Sequence, residues 1–216
     1  SGISINRKID GDYNVSSSTI SPSSVLSTVS GKFSATVPYG GAFVHPDGTM
    51  LFVNEENNIR RYDMSTPHDL STLSTVVNSY FIGTSDNKGL TFRPNGLQFF
   101  TVDESYHRVK TFTLSTAWDV SSVSSTSTVS PFSAVGTDAY LQAIKFNPDG
   151  TKMYGLYYQG NNQLQSYDLS NPYEVNSGTN MKFNGGGVGF ANYNNLRDFA
   201  FVNNGMAALA TRDGSN

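Results

Sequence analysis

The feature that most constrains this chain is a repeat about fifty residues long. Its clearest copy, residues 141–175, reads LQAIKFNPDGTKMYGLYYQGNNQLQSYDLSNPYEV. An apolar run ends in Pro148-Asp149-Gly150, a second run covers 152–158, a polar loop covers 159–162, and a third run covers 163–169. Pro fixes φ and Gly accepts a positive φ that other residues resist, so apolar runs flanking such a turn predict a hairpin. Counterparts of the turn stand at Asp47-Gly48, Asn95-Gly96 and Asn204-Gly205, with successive glycines 48, 54 and 55 residues apart. The closing segment Asn171-Pro172-Tyr173-Glu174-Val175 also recurs, so that Val15, Leu70, Val120 and Val175 are spaced by 55, 50 and 55 residues. Counting from Val175 through the C-terminus and round to Val15 gives 56, so the period survives joining the ends. Such a period, with three or four short strands per unit, marks a propeller blade or a β-solenoid turn.

The last unit, 196–211, supplies two strands only, and residues 3–9 with a Ser/Thr-rich strand within 19–33 supply the missing two. Pooling them closes a ring and removes two unpaired sheet edges. The expected fold is therefore all-β: a four-bladed β-propeller closed velcro-fashion by N- and C-terminal strands sharing one blade, with 1–216 as a single domain. Blade 1 covers about 41–82, blade 2 about 88–132, blade 3 about 140–184, and blade 4 about 196–216 plus 3–33. The fourth strands are expected within 74–82, 122–132 and 179–183. Six and four positions before each turn glycine lie Ala42 and Val44, Leu90 and Phe92, Ile144 and Phe146, Phe199 and Phe201, all apolar as blade-to-blade packing requires. Seven positions before it lie Gly41, Gly89, Ala143 and Asp198, three of them small, as strands converging on a crowded axis need.

Composition agrees with this. Charged residues make up 14%, aromatics 12%, and there are 20 glycines, which favours strands and turns over amphipathic helices. Net charge is −3 with no Lys/Arg cluster, which argues against a nucleic-acid partner. Without cysteine, disulfides and thiolate metal sites are excluded. No apolar run approaches the roughly 20 residues needed to cross a bilayer, so no membrane insertion is expected, and the first residues show no apolar core of a signal peptide.

The order of apolar strand, Asn/Arg-Pro-Asp/Asn-Gly, aromatic strand and Tyr167-Asp168-Leu169-Ser170-Asn171-Pro172 resembles the β-propeller repeats of microbial and phage-encoded proteins in the lactonase-like and TolB-like grouping. The resemblance implies a disc with a central channel. Ligands would sit on the face made by the loops that enter the inner strands and those that join second to third strands. Six or seven blades are usual in lactonase-like enzymes, and four are expected here, which weakens an enzymatic carry-over.

On that face the expected channel mouth holds Lys88, Gln142 and Arg197, with Asp198 beside them. They read either as a ligand-binding rosette or as groups that pair with one another and with water. Tyr106, His107, Tyr140, Tyr158 and Tyr193 fall on or beside the same face, and rigid aromatics next to amides suit a carbohydrate or protein epitope. Each tyrosine alone also reads as blade padding. Asp86, Asp138 and Asp198 could supply carboxylates to a divalent cation such as calcium, or act as turn formers; no other cofactor is implied. No serine or cysteine in an elbow context has a histidine near it, so no catalytic residues are expected. The glycine-rich stretch 185–195 reads as a long loop.

These features predict a non-catalytic binding or assembly module, lectin-like, taking a carbohydrate or protein ligand. It would act as a monomer or as part of a larger assembly in an extracellular, cell-surface or virion setting. A lactonase-like metal-dependent hydrolase and a purely structural spacer are the alternatives.

Overall fold

The structure is a computed structural model that describes residues 41–55, 57–84, 86–129, 140–158, 163–177, 188–189, 196–202 and 207–212. It is all-β, built from antiparallel sheets. β1 (Ala42–Val44), β2 (Met50–Glu55), β3 (Asn58–Met64) and β4 (Leu73–Phe81) form the first sheet in chain order. β5 (Asn87–Phe92), β6 (Gln98–Asp103), β7 (Arg108–Leu114) and β8 (Val123–Val129) form the second in the same way. β9 (Tyr140–Phe146), β10 (Lys152–Tyr158), β11 (Gln163–Asp168) and β12 (Val188–Gly189) form the third, and β13 (Leu196–Val202) pairs with β14 (Ala207–Arg212). The fourth strand expected at 179–183 lies outside the described residues. The partner of β11 is Val188–Gly189, within the stretch read as a long loop.

The repeat turns work as the sequence suggests. The amide of Gly48 donates to the His45 carbonyl at 2.8 Å, Gly96 to Arg93 at 2.9 Å and Gly150 to Asn147 at 3.0 Å. The side chain before each glycine (Asp47, Asn95, Asp149) accepts from the amide two residues on. The closing segments then dock onto the same glycines. The amides of His68, Trp118 and Tyr173 each donate to the carbonyl of Gly48, Gly96 and Gly150 at 2.9 Å. A Cβ on Gly96 would meet the Trp118 ring at 2.3 Å, and one on Gly150 the Tyr173 ring at 2.2 Å. Glycine is thus demanded twice at each turn, by a φ near +72° at Gly96 and by the ring lying on it. Asp69 and Asp119 finish two of these segments by accepting from the amides of Ser71 and Ser121.

Successive sheets pack face to face. Phe52 of the first sheet meets Leu90, Phe92, Phe99 and Phe112 of the second, with Trp118 at the edge. Phe100 and Val102 of the second meet Leu141, Ile144 and Met153 of the third, and Phe199 of β13 packs on Ala143 and Leu156. A fully buried ring such as Phe52 or Phe99 contributes about 2 kcal/mol. The first strands approach most closely. A Cβ on Gly41 would lie 2.4 Å from the Gly89 backbone, and one on Gly89 would lie 3.1 Å from the Ala143 Cα. Asp198 holds the equivalent place in β13, and its carboxylate reaches Lys145 at 3.2 Å, whose ammonium donates to the Leu90 carbonyl at 3.1 Å. One side of the inner-strand pattern departs from expectation. Leu90 and Phe92 are buried against the first sheet, whereas Ala42 and Val44, their counterparts, are exposed because they lie on the face of β1 turned away from the second sheet.

Candidate functional site

At the ends of the sheets opposite the glycine turns, the chain gathers its polar residues. Strand β6 finishes in Asp103, and a single 3-10 turn, Glu104–Tyr106, leads through His107 at φ 51° into β7. That tight reversal puts Glu104 over the start of β5 and β9 and turns Tyr106 outward.

Lys88 enters from β5, buried at 4% exposure, and its ammonium lies 2.7 Å from Asp86 and 3.4 Å from Glu104. Gln142, fully buried on β9, donates its amide to Glu104 and accepts from the Arg197 guanidinium of β13 at 3.3 Å. The expected rosette of Lys88, Gln142 and Arg197 is therefore one network, drawn from three sheets. Glu104 is the residue that joins it, and sequence reasoning missed that residue because it was visible only as one of several polar loop positions. Burial raises the Glu104 carboxyl above its ordinary value, and its hydrogen bond to Asp86 pushes the same way. Burial acts against Asp86 too, but the bond to Glu104 and the neighbouring Lys88 and Arg197 charges hold it below its ordinary value. The two carboxyls thus shift in opposite directions beside one buried ammonium.

A second layer repeats from sheet to sheet. Asp103, fully buried, accepts from Arg108 at 2.9 Å and faces Lys110 at 3.5 Å, and Lys110 also donates to Asn87 at 2.9 Å. Glu55, seven residues after its turn glycine as Asp103 is after its own, pairs with Arg60 at 2.8 Å and accepts from the Tyr62 hydroxyl. Burial, and then Glu55, push that phenol up to about 12. In the third sheet the acid is replaced by Tyr157, whose hydroxyl lies 2.6 Å from that of Tyr167, which donates to Gln165 at 2.9 Å. Burial raises both phenols. The shared spacing from the turn glycine was the available signal for Glu55 and Asp103. Their burial with a basic partner could be seen only in three dimensions.

Tyr106 is 62% exposed with the Arg108 guanidinium 4.3 Å from its ring centre, and Tyr140 is 39% exposed with the His107 ring 5.4 Å away. Tyr158 is the register partner of Tyr140 in the β9–β10 pair. Tyr193 and Asp138 lie outside the described residues. The other carboxylates suggested for a cation sit in separate ion pairs, Asp86 with Lys88 and Asp198 with Lys145. Among the described residues no group of three or more His, Asp and Glu side chains is placed to hold a metal ion. Also among them, no helix is long and apolar enough to cross a membrane.

No family model matches the chain, and no curated protein matches it. Solved structures do resemble it. A candidate 6-phosphogluconolactonase of Bacteroides uniformis aligns at 19% identity and a TM-score of 0.49, covering 79% of this chain and 46% of its own. Dihydro-heme d1 dehydrogenase NirN aligns at 16% identity and 0.49, covering 83% and 34%. A β-propeller domain of Myceliophteria thermophila aligns at 14% identity and 0.40, covering 60% and 39%. The chain thus spans less than half the length of each of these proteins.

Proposed function

We propose that this protein is a non-catalytic binding module that captures a carbohydrate or protein ligand on the face carrying Tyr106, His107 and Tyr140. The observation that carries this reading is the contrast within that face. Its charged groups, from Asp86 to Arg197, are engaged with one another, while two tyrosine rings stand out to solvent and are steadied by Arg108 and His107. Rigid rings lose little entropy on contact and offer apolar area beside polar groups, which is what such ligands need. A role at a microbial cell surface or on a virion belongs to the same proposal.

The experiment is binding of the labelled protein to a broad glycan array, with calcium and with chelator, followed by the variant carrying Tyr106→Ala, Tyr140→Ala and Tyr158→Ala. The triple variant is expected to stay folded and lose at least about tenfold in affinity, since exposed aromatic anchors dominate such contacts. Retained capture would exclude this face. The second reading, a lactonase-like hydrolase, is favoured by one observation, the Asp86–Glu104 carboxyl pair beside Lys88. It requires lactone turnover that falls with Glu104→Gln, or, in its metal-dependent form, a divalent ion that co-purifies and is lost with Asp138→Asn.

The proposal places these sheets in a four-bladed propeller whose last blade is completed by strands from 3–33, as a single domain. The sequential packing of the inner strands supports it, as does the burial of Leu51, Val53, Tyr62, Met64 and Leu73 on the first sheet. Deleting residues 1–30 is then expected to expose a strand edge and cause aggregation. A truncated chain that stays soluble and unfolds cooperatively would count against ring closure.

A further inference from the structure

One ion cluster on the proposed ligand face is unbalanced. Asp103, fully buried at the end of β6, faces two cations, the Arg108 guanidinium at 2.9 Å and the Lys110 ammonium at 3.5 Å. Elsewhere among the described residues a carboxylate meets a single basic side chain, as Glu55 meets Arg60, Asp63 meets Arg61, Asp198 meets Lys145 and Asp168 meets Lys152. Lys88 even has two carboxylates to itself. Of the two cations on Asp103, Lys110 is the better enclosed, 14% exposed against 33% for Arg108, and it is also held by Asn87 at 2.9 Å and by the Ile82 carbonyl at 3.4 Å. It offsets the buried carboxylate from within, so the charge of Arg108 is the surplus and lies on the solvent side.

A guanidinium carries five N–H donors in a planar fork. The Nη2 group of Arg108 donates to Asp103, whereas among the described residues its Nη1 group meets no acceptor and its Nε is buried without a partner. The exposed Tyr106 ring lies against the fork and holds it at the surface. Such a fork suits a planar carboxylate, taken by charge-assisted bonds. Phosphate groups call for several cations, and the other cation of this cluster is enclosed and already bonded. A run of carboxylates, as on an acidic peptide, meets a further obstacle. Asp86 stands half exposed on the β5 side of the Glu104–Tyr106 turn, where the Glu104 amide donates to its carbonyl at 3.0 Å, and it would repel a second negative charge. One carboxylate flanked by uncharged hydroxyls and C–H groups fits both the fork and the ring. We infer that the ligand captured on this face is an acidic sugar, a uronate whose single carboxylate is taken by Arg108 while its ring lies against Tyr106. This rests on the binding reading given above and narrows it to one ligand chemistry.

The test is saturation-transfer NMR with the methyl glycosides of glucuronate and galacturonate, their uncharged methyl esters, neutral methyl hexosides and a short oligoglutamate. Each is offered to the wild-type chain, to Arg108→Met, to Arg108→Lys and to the pair Tyr106→Ala with Tyr140→Ala. The wild-type chain is expected to bind at least one uronide, to bind its ester about tenfold more weakly, and to lose the difference as salt is raised. Arg108→Met should bring the free acid down to the level of the ester, Arg108→Lys should recover part of the loss because it keeps the charge without the fork, and the tyrosine pair should weaken acid and ester alike. Lys110 stays beside Asp103 in Arg108→Met, so the buried carboxylate keeps a cation and the fold is expected to hold. The comparison of acid with ester on the wild-type chain decides the question even where that variant does not fold. Equal binding of acid and ester, or uronide binding that survives Arg108→Met, would overturn the inference. Neutral hexosides or oligoglutamate bound in preference to uronides, and lost with the tyrosine pair, would overturn it while leaving the face as proposed. Absence of binding by every sugar, charged or neutral, would overturn it together with the carbohydrate form of the proposed function.

Discussion

Replacing Gly41 by alanine is expected to lower stability by about 3 kcal/mol, a drop in Tm of about 10 °C for a chain of this size. The added methyl would lie 2.4 Å from the Gly89 carbonyl carbon and from the Leu90 nitrogen. Those are backbone atoms of a strand buried along its whole length, so no side chain can swing away to admit it. The first and second sheets must separate, and the shared cluster of Phe43, Phe52, Phe92 and Phe99 loosens with them. Urea unfolding of the purified variant measures the effect. A loss below about 1 kcal/mol would show that the inner strands can part at little cost, and that their close approach is not what holds the sheets together. Gly83→Ala is the contrasting control, since the nearest atom its methyl would meet is the flexible Lys110 ammonium at 3.9 Å; its cost should come only from a φ of +96°.

The second large effect concerns charge. Lys88→Met is expected to destabilise by about 2 kcal/mol at pH 7, toward the low end for a broken buried pair because Asp86 is half exposed. It leaves the carboxylates of Asp86 and Glu104 facing each other without their cation. The loss should depend on pH in a definite direction. A carboxyl whose folded pKa is raised holds its proton more tightly in the folded state. Glu104 therefore makes stability fall as pH rises above about 4.5, the ordinary glutamate value. Asp86, held low, works the other way: its contribution is present above its unfolded value and disappears as pH falls through its depressed folded one. Removing Lys88 strengthens the Glu104 effect, so the variant should lie nearer to wild type at pH 5 than at pH 7. Adding Glu104→Gln, which keeps a hydrogen-bonding group without the charge, should recover most of the loss at pH 7. Equal losses at both pH values, or no recovery in the double variant, would mean that Lys88 acts there through packing alone.

The sequence by itself determined the local grammar of this protein. Turn glycines at a fixed period require a positive φ, and alternating apolar runs between them can be satisfied only as strands, so β10 begins and ends where the pattern places it, and β11 begins there. The small residues Gly41, Gly89 and Ala143 were legible as a crowded seam because only a close backbone approach gives them a purpose in a strand. The polar rosette was legible in part, since Lys88, Gln142 and Arg197 share one offset from their turns. What only the tertiary structure decided was pairing across sheets. Glu104 joins Lys88 to Gln142 because a three-residue 3-10 turn swings it over two neighbouring strands. Asp198, which sequence spacing set beside the rosette, instead turns to Lys145 on the adjacent inner strand. Periodicity reports which way a side chain points from its own strand, and the identity of the group it meets depends on how twisted sheets stack, which no local pattern encodes.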